Sequence, residues 1–585
     1  MPIFNAKMRY NIGMIKFIKQ TWNIFKQEPD VWFFYMFIAT FTLSIRKIIY
    51  AFKIRDSFNE YTGVYIYLSD IFLILIFISF ILYNNKSILS NITSFLKNHY
   101  TKFKLFHACL SGRQVEQFKW QDWSGHKKTL KNVPRGTFTL FKKTYALLIN
   151  NYLVIFPLFI AFFSFVSILW TTNRPVAIFR SIKLTEFIFL YFYIISIVPR
   201  GTILQTTNTT IKKLKQMFHV EHFEKNILVE KSNCSTWNNF TNNPEVNVPR
   251  GTFIRNVFLI IIITGLIQAT IGIIQFIFQK SLGLFWLKES IISSSISGVA
   301  KIILNGEAYI RVYGLFPHPN IFGGFLVFSI LISFLYLKMF HVEHFYWGGT
   351  IWKIFISIQF IALSLTFSKS AIIGLLMGLF YLYTILKINN VPRGTLFEKY
   401  KNTKCSTWNI SIRVKHFKRN ILITFIAIML FVIIAKLDLN SLLIKSLGER
   451  LFYLGASYEM FLSHPFIGVG AGQLVFNLME IPNIQVWQFQ PVHNVFLLIL
   501  NEFGIFILSG FLYFIFKLSK LIKNVPRGTI TILSIFVNAI LVAFIFIMLF
   551  DHYFWDIQQG QILLWMTFGL IASQNKRVNP DQLIV

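Results

Sequence analysis

Charge is scarce in this sequence, and acidic charge is the scarcest. Charged residues make up 14% of the 585 positions, and only 24 acidic residues accompany 57 lysines and arginines, which gives a net charge of +33. Soluble domains carry roughly 25% charged residues. Hydrophobic residues, by contrast, make up 55% of the chain. This composition excludes an ordinary soluble domain.

Cysteine is nearly absent, since the chain has only Cys109, Cys234 and Cys405. All three lie in basic segments that we expect to be cytoplasmic loops, where disulfides are rare. The sequence therefore predicts no disulfide framework. The start of the chain is polar and basic, unlike a cleavable signal peptide. We expect the first hydrophobic segment to act as the membrane-insertion signal.

Long hydrophobic runs are abundant, and a helix of about 17–25 such residues crosses a bilayer. They predict an all-α polytopic integral membrane protein with about twelve transmembrane helices and a large periplasmic loop before the tenth. The predicted parts are a cytoplasmic N-terminal segment (1–29), a membrane domain (30–575) that contains the loop (436–493), and a cytoplasmic tail (576–585). The predicted spans are residues 30–44, 65–83, 152–170, 182–198, 257–278, 321–337, 351–367, 370–386, 421–435, 495–516, 530–550 and 561–572.

The basic residues are unevenly distributed along the chain. Lysine and arginine gather at 97–143, 212–255, 387–419 and 517–527. With the N-terminus inside, all four segments fall on the cytoplasmic side, as the positive-inside bias of membrane proteins requires. The charge therefore predicts topology, with both termini cytoplasmic, and not nucleic-acid binding.

Three short strings recur, and one of them imitates a metal motif. MFHVEHF occurs twice, at 217–223 and 339–345, VPRGT occurs five times and CSTWN twice. The single palindromic DNA sequence TGTTCCACGTGGAACA encodes all three strings in its three reading frames. A metal site would have to keep one frame, so the histidine spacing follows from the DNA and no zinc site is predicted there. The VPRGT copies begin at residues 133, 198, 248, 391 and 525, and the CSTWN copies at 234 and 405.

The predicted outer segments carry several cations and histidines. They include GLFPHPN after Arg311, LTFSKSAIIG around Lys369, a glycine-rich stretch after Arg450, PVHN ending at Asn494, and DHYFWDIQQGQ from Asp551. Each has a plain structural interpretation as a turn, a helix cap or a loop cation. Cations close to membrane depth are costly without a partner, however. Several cations beside an imidazole suit a diphosphate leaving group and a general base.

These motifs together resemble those of the O-antigen ligase and polymerase superfamily of bacterial membrane glycosyltransferases. The resemblance is carried by GLFPHPN, LTFSKSAIIG, the segment ER…HPFIGVGAG, and His493-Asn494 followed after nine residues by Gly504. The family usually has Ser-Arg where this chain has Ser368-Lys369, which keeps the charge but loses the bidentate fork. Ile507 also replaces the small or aromatic residue often found at that position.

The resemblance implies transfer of a glycan from an undecaprenyl-diphosphate carrier to an acceptor hydroxyl at the outer face of the bacterial inner membrane. The displacement would invert the anomeric carbon without a metal or another cofactor. The implied catalytic residues are His493 as base, with Arg450 and Arg311 on the diphosphate. The implied substrate-binding residues are Lys369, His318, Asn320, Gly468, Gly470 and Asn494.

Other functions remain open at this stage. A polysaccharide polymerase or a protein O-oligosaccharyltransferase of the same superfamily would differ in the acceptor, which is a lipid-A core sugar, a repeat unit or a protein hydroxyl. A transporter that flips lipid-linked glycan across the membrane would also need many spans and outer cations. It would not need a base beside an acceptor.

Overall fold

A computed structural model describes most of the predicted membrane domain. The residues it describes are 28–82, 152–198, 251–304, 306–340, 348–388, 439–482, 484–521 and 532–574. The predicted span at 421–435, the three cysteines and most of the residues in the repeated strings lie outside these ranges.

The described residues are mostly helical. Their α-helices are α1 (Pro29–Thr40), α2 (Leu68–Leu82), α3 (Tyr152–Val166), α4 (Arg174–Ile197), α5 (Gly251–Phe278), α6 (Pro319–Phe340), α7 (Gly348–Leu365), α8 (Lys369–Ile388), α9 (Leu439–Ser463), α10 (Leu474–Asn477), α11 (Val495–Lys520), α12 (Ile532–Met548), α13 (Tyr553–Asp556) and α14 (Gln558–Ala572).

Within the described residues, four helices are long and apolar enough to cross a membrane: α3 with the turn that follows it, α5, α6 and α11. Shorter apolar helices are α2, α7, α8 and α12. The helical membrane character predicted from the sequence is confirmed. The number of twelve spans stays a prediction.

Helix α6 is the centre of the helical assembly. It packs against α5, α7, α8, α12 and α14, and 89% of its apolar segment is buried by other parts of the protein. Small residues permit the close approach, because a Cβ at Gly324 would lie 2.2 Å from the Tyr553 hydroxyl oxygen. This contact brings α13 against the first turns of α6. The N-terminal end of α6 and the segment around α13 therefore share one side of the molecule.

Two small β-hairpins correct the all-α prediction. Strand β1 (Arg46–Ala51) pairs with β2 (Gly63–Tyr67), and β3 (Lys301–Leu304) pairs with β4 (Glu307–Ile310), both antiparallel. β-Branched and aromatic residues dominate these short stretches, and Gly306 has the positive φ, 85°, that a tight reversal requires. Strands this short lie in connections between helices, and their few apolar residues do not form the long runs that predict a membrane span.

Helix α11 is interrupted at Gly504, where φ is 79° and ψ is 178°. Only glycine adopts this conformation readily, and a Cβ there would lie 2.1 Å from the Phe466 carbonyl oxygen. The next backbone N–H, at Ile505, donates to the Pro465 carbonyl at 2.9 Å. The loop that precedes α11 is thus packed into the interruption, and it fixes the N-terminal half of α11 and the residues leading into it.

Candidate active site

The site is organised around the turn between α12 and α13. This turn, residues 549–552, accepts hydrogen bonds from two side chains that start in other elements. The Asn494 amide donates to the Leu549 carbonyl at 3.1 Å, and the Arg450 guanidinium donates to the Phe550 carbonyl at 3.3 Å. Four distant parts of the sequence meet here: the end of β4 with the start of α6, α9, the start of α11, and the turn itself.

Arg311, the first residue after β4, is held by a chain of hydrogen bonds. Its Nε donates to the Thr366 carbonyl and its Nη2 to Oδ1 of Asn320, each at 2.6 Å. Asn320 in turn donates to the Asp551 carboxylate at 2.9 Å. Burial lowers the pKa of Arg311 to about 10, so it remains charged at neutral pH. These contacts fix the guanidinium at the mouth of the site.

His318 stands directly before α6 and is uncharged. Its Nδ1 accepts a hydrogen bond from the Asn320 backbone N–H at 3.1 Å. Burial, with the positive charge of Arg311 and His552 nearby, lowers the pKa of His318 to about 3. The bonding pattern is that of a capping turn at the α6 N-terminus, as the plain interpretation of His-Pro-Asn predicts. The same turn places the Asn320 side chain where it accepts the hydrogen bond from Arg311.

His493 lies two residues before α11, at the centre of the site. Its ring packs edge-on against Tyr453, with 5.8 Å between ring centroids, and its centroid lies 5.0 Å from that of His552. Burial lowers the pKa of His493 to about 3, and the charges of His552 and Arg450 act in the same direction. His493 is therefore neutral at physiological pH, which is the form that can accept a proton.

Sequence reasoning missed His552 and Asp556. The His552 Nδ1 lies 2.9 Å and 2.8 Å from the two carboxylate oxygens of Asp556, and both residues are buried. Burial alone would lower the pKa of His552, but the Asp556 carboxylate and the nearby Asp551 carboxylate raise it above its ordinary value. The signal was present in the string DHYFWD, since a histidine and an aspartate four residues apart share one helical face.

Arg450 and Lys369 complete the positive charge of the site. Arg450 is exposed on α9, with its guanidinium 5.5 Å from the centroid of the Phe550 ring. Lys369 is exposed as the first residue of α8. The positive charges of Arg450 and Arg311 lie close enough to repel its ammonium group. The structure thus brings together three cations that the sequence spreads over 140 positions.

The remaining predicted residues have contacts that shape the site. Gly468 and Gly470 have positive φ values of 66° and 100°, and the Gly470 N–H donates to the Glu502 carbonyl at 2.8 Å. These glycines pack on α11 near its interruption. Asn494 caps α11, since its side chain accepts the N–H groups of Phe496 and Leu497. Any role of these residues toward a substrate stays a prediction.

Three donor groups could in principle surround a cation. Single ring or carboxylate atoms of His493, Asp551 and His552 all lie within 4.8 Å of one another. Asp551 and His552 are already engaged in hydrogen bonds within the protein, and the neighbouring arginines oppose a further positive ion. The metal-independent reaction stays a prediction.

Residues 354–515 match the family described as O-antigen ligase. The matched segment begins within α7 and ends within α11, and it includes Lys369, Arg450 and His493. No curated protein matches the chain. The resemblance drawn from the sequence motifs is confirmed over this segment, which is similar to O-antigen ligases.

Proposed function

We propose that this membrane glycosyltransferase transfers a glycan from an undecaprenyl-diphosphate carrier to an acceptor hydroxyl, in the manner of an O-antigen ligase. The observation that carries the proposal is the meeting of one neutral, half-buried histidine with three cations at the shared end of α6, α8 and α11. A diphosphate leaving group and a hydroxyl nucleophile need these two kinds of group within reach of one anomeric carbon.

The proton of the acceptor hydroxyl would pass to His493. As the hydroxyl oxygen bonds to the anomeric carbon, the bond from that carbon to the diphosphate oxygen breaks, and its electron pair leaves with the diphosphate. Neutral imidazole is the form that can take the released proton, and the low pKa keeps His493 in this form above a pH of about 3. Attack from the side opposite the leaving group would invert the anomeric configuration.

The cations would hold the departing diphosphate. Arg311 is pre-positioned by Thr366 and Asn320, so little reorganisation is needed as negative charge develops on the leaving oxygen. Arg450 presents a planar fork from the opposite element, α9, and Lys369 adds a point charge. His318 and Asn320 orient Arg311, while Gly468, Gly470 and Asn494 would hold the loop and the start of α11 around the donor.

A transfer assay tests the reaction directly. The purified protein is given a lipid-linked oligosaccharide with a lipid-A core, a glycan repeat unit or a protein as acceptor. We expect glycan to appear on one of these hydroxyl acceptors, with inverted anomeric configuration, and at the same rate in the presence of a chelator. Retained configuration or loss of the rate on chelation would contradict the mechanism, and the acceptor that gains glycan distinguishes ligase, polymerase and protein transferase.

Cysteine labelling tests the face on which the site lies. In a chain whose three native cysteines are replaced, a single cysteine is placed at exposed Gln485, in the segment that leads to His493, or at Glu224, in a predicted cytoplasmic loop. A membrane-impermeant thiol reagent added outside intact cells is expected to label the first and spare the second. The reverse pattern would contradict an outer-face site.

A further inference from the structure

The two neighbouring histidines of the site have opposite surroundings, which favour the neutral form of His493 and the protonated form of His552. His493 contacts aromatic rings and is acted on by positive charge, whereas His552 is bonded through Nδ1 to the buried carboxylate of Asp556. When the environments of two neighbouring titratable groups move their pKa values apart, the two groups usually have different acid–base roles. The proposed reaction uses only His493, so the function of its partner is open.

The donor creates a specific problem for the base. A diphosphate bound by Arg311 and Arg450 brings negative charge close to His493, and negative charge favours the imidazolium form. A base that was protonated by the binding of its own substrate could not accept the hydroxyl proton. A fixed positive charge on the other side of the ring would offset this effect.

We propose that His552, held as a cation by Asp556, is a positioning residue that keeps the His493 base unprotonated while the anionic donor is bound. This inference rests on the proposed function. The 5.0 Å separation of the ring centroids lets one ring's charge act on the other, and the Asp556 contact fixes the Nδ1–H of His552. Burial strengthens the interaction, because little water screens it.

Hydrogen bonds to neighbouring helices hold His552 and Asp556 in place. The Trp555 indole N–H donates to the buried Glu502 side chain at 3.1 Å, and an Arg180 guanidinium N–H donates to the Asp556 carbonyl. These bonds tie α13 to α11 and α4, and the contact of Nδ1 with the Asp556 carboxylate holds the imidazole beside His493. The charged and titratable groups around His552 are Tyr61, Arg180, His318, His493, Asp551 and Asp556.

The first test measures protonation without requiring transfer. The full-length protein with ¹⁵N-labelled histidine is titrated by NMR with inorganic diphosphate as the probe. We expect His493 to remain neutral at pH 7 with diphosphate bound, and His552 to be protonated. In His552→Gln, and equally in Asp556→Asn, the titration of His493 should move up by about one to two pH units, as expected for loss of a unit charge about 5 Å away. A neutral His552 in the unmodified protein overturns the proposal.

The second test is the pH dependence of kcat, which reports the donor complex. The acidic limb should move up by about the same one to two units in His552→Gln, and His552→Lys, which retains a positive charge, should bring it back. The matched control is His464→Gln, an exposed histidine in the loop before α11, whose profile should be unchanged. A uniformly lower kcat in His552→Gln with an unmoved acidic limb shows a structural role only and overturns the inference. Absence of transfer in the unmodified protein would instead contradict the proposed function, and the NMR result would still stand.

Discussion

Replacement of His493 by alanine is expected to lower the rate of glycan transfer about a hundred- to ten-thousandfold, the usual contribution of a general base. The imidazole is half-buried and packs against the rings of Tyr453 and His552 without a described hydrogen bond, so its loss should cost little folding stability. The measurement is the initial transfer rate of purified His493→Ala, normalised to the amount of protein inserted in the membrane.

His464→Ala is the matched control, since His464 is exposed in the loop before α11. It should transfer at the normal rate. If His493→Ala kept more than about half of the normal rate, even the lower limit of this range would be excluded and the base assignment would be wrong. A transporter predicts a different result, because flipping of lipid-linked glycan needs no base and would continue in His493→Ala.

The sequence predicts which ends of the helices carry chemistry, because those ends are marked by local signals. Arg311, Lys369 and His493 each stand at or near the start of a long apolar segment, and a polar residue there has one side of the membrane to occupy. The positive-inside bias predicts that all three starts share one face. In the structure, the packing of helices around α6 brings the three residues together.

The sequence does not predict how the connecting segments fold, because long-range contacts decide their conformation. Gly504 is visible as part of a motif, but its role depends on Phe466 and Pro465, nearly forty residues earlier, filling the break in α11. The position of His552 is not predicted by the sequence for the same reason. The string DHYFWD reads as an aromatic turn until α13 places its histidine beside His493.

Arg450, on α9, offers the most direct test of the proposal that cations bind the departing diphosphate. Arg450 is exposed, and the described structure fixes it through one carbonyl, that of Phe550, and through the ring of the same residue. Removing its side chain should therefore disturb the fold little. By comparison, Arg311 is bonded to Thr366 and Asn320, so a loss of activity on its removal would mix catalysis with structure.

Arg450→Ala is expected to lower the transfer rate about a hundred- to thousandfold, the usual effect of removing one group that stabilises developing negative charge. Arg450→Lys keeps the charge but loses the planar fork, so its rate should fall less, by roughly tenfold. Initial rates over a range of lipid-linked donor concentrations measure both variants. Lys53→Ala, which removes an exposed cation from the connection between β1 and β2, is the control and should leave the rate unchanged. A normal rate in Arg450→Ala would show that this arginine does not bind the diphosphate. Equal rates in the alanine and lysine variants would show that the leaving diphosphate requires the planar fork, and not the charge alone.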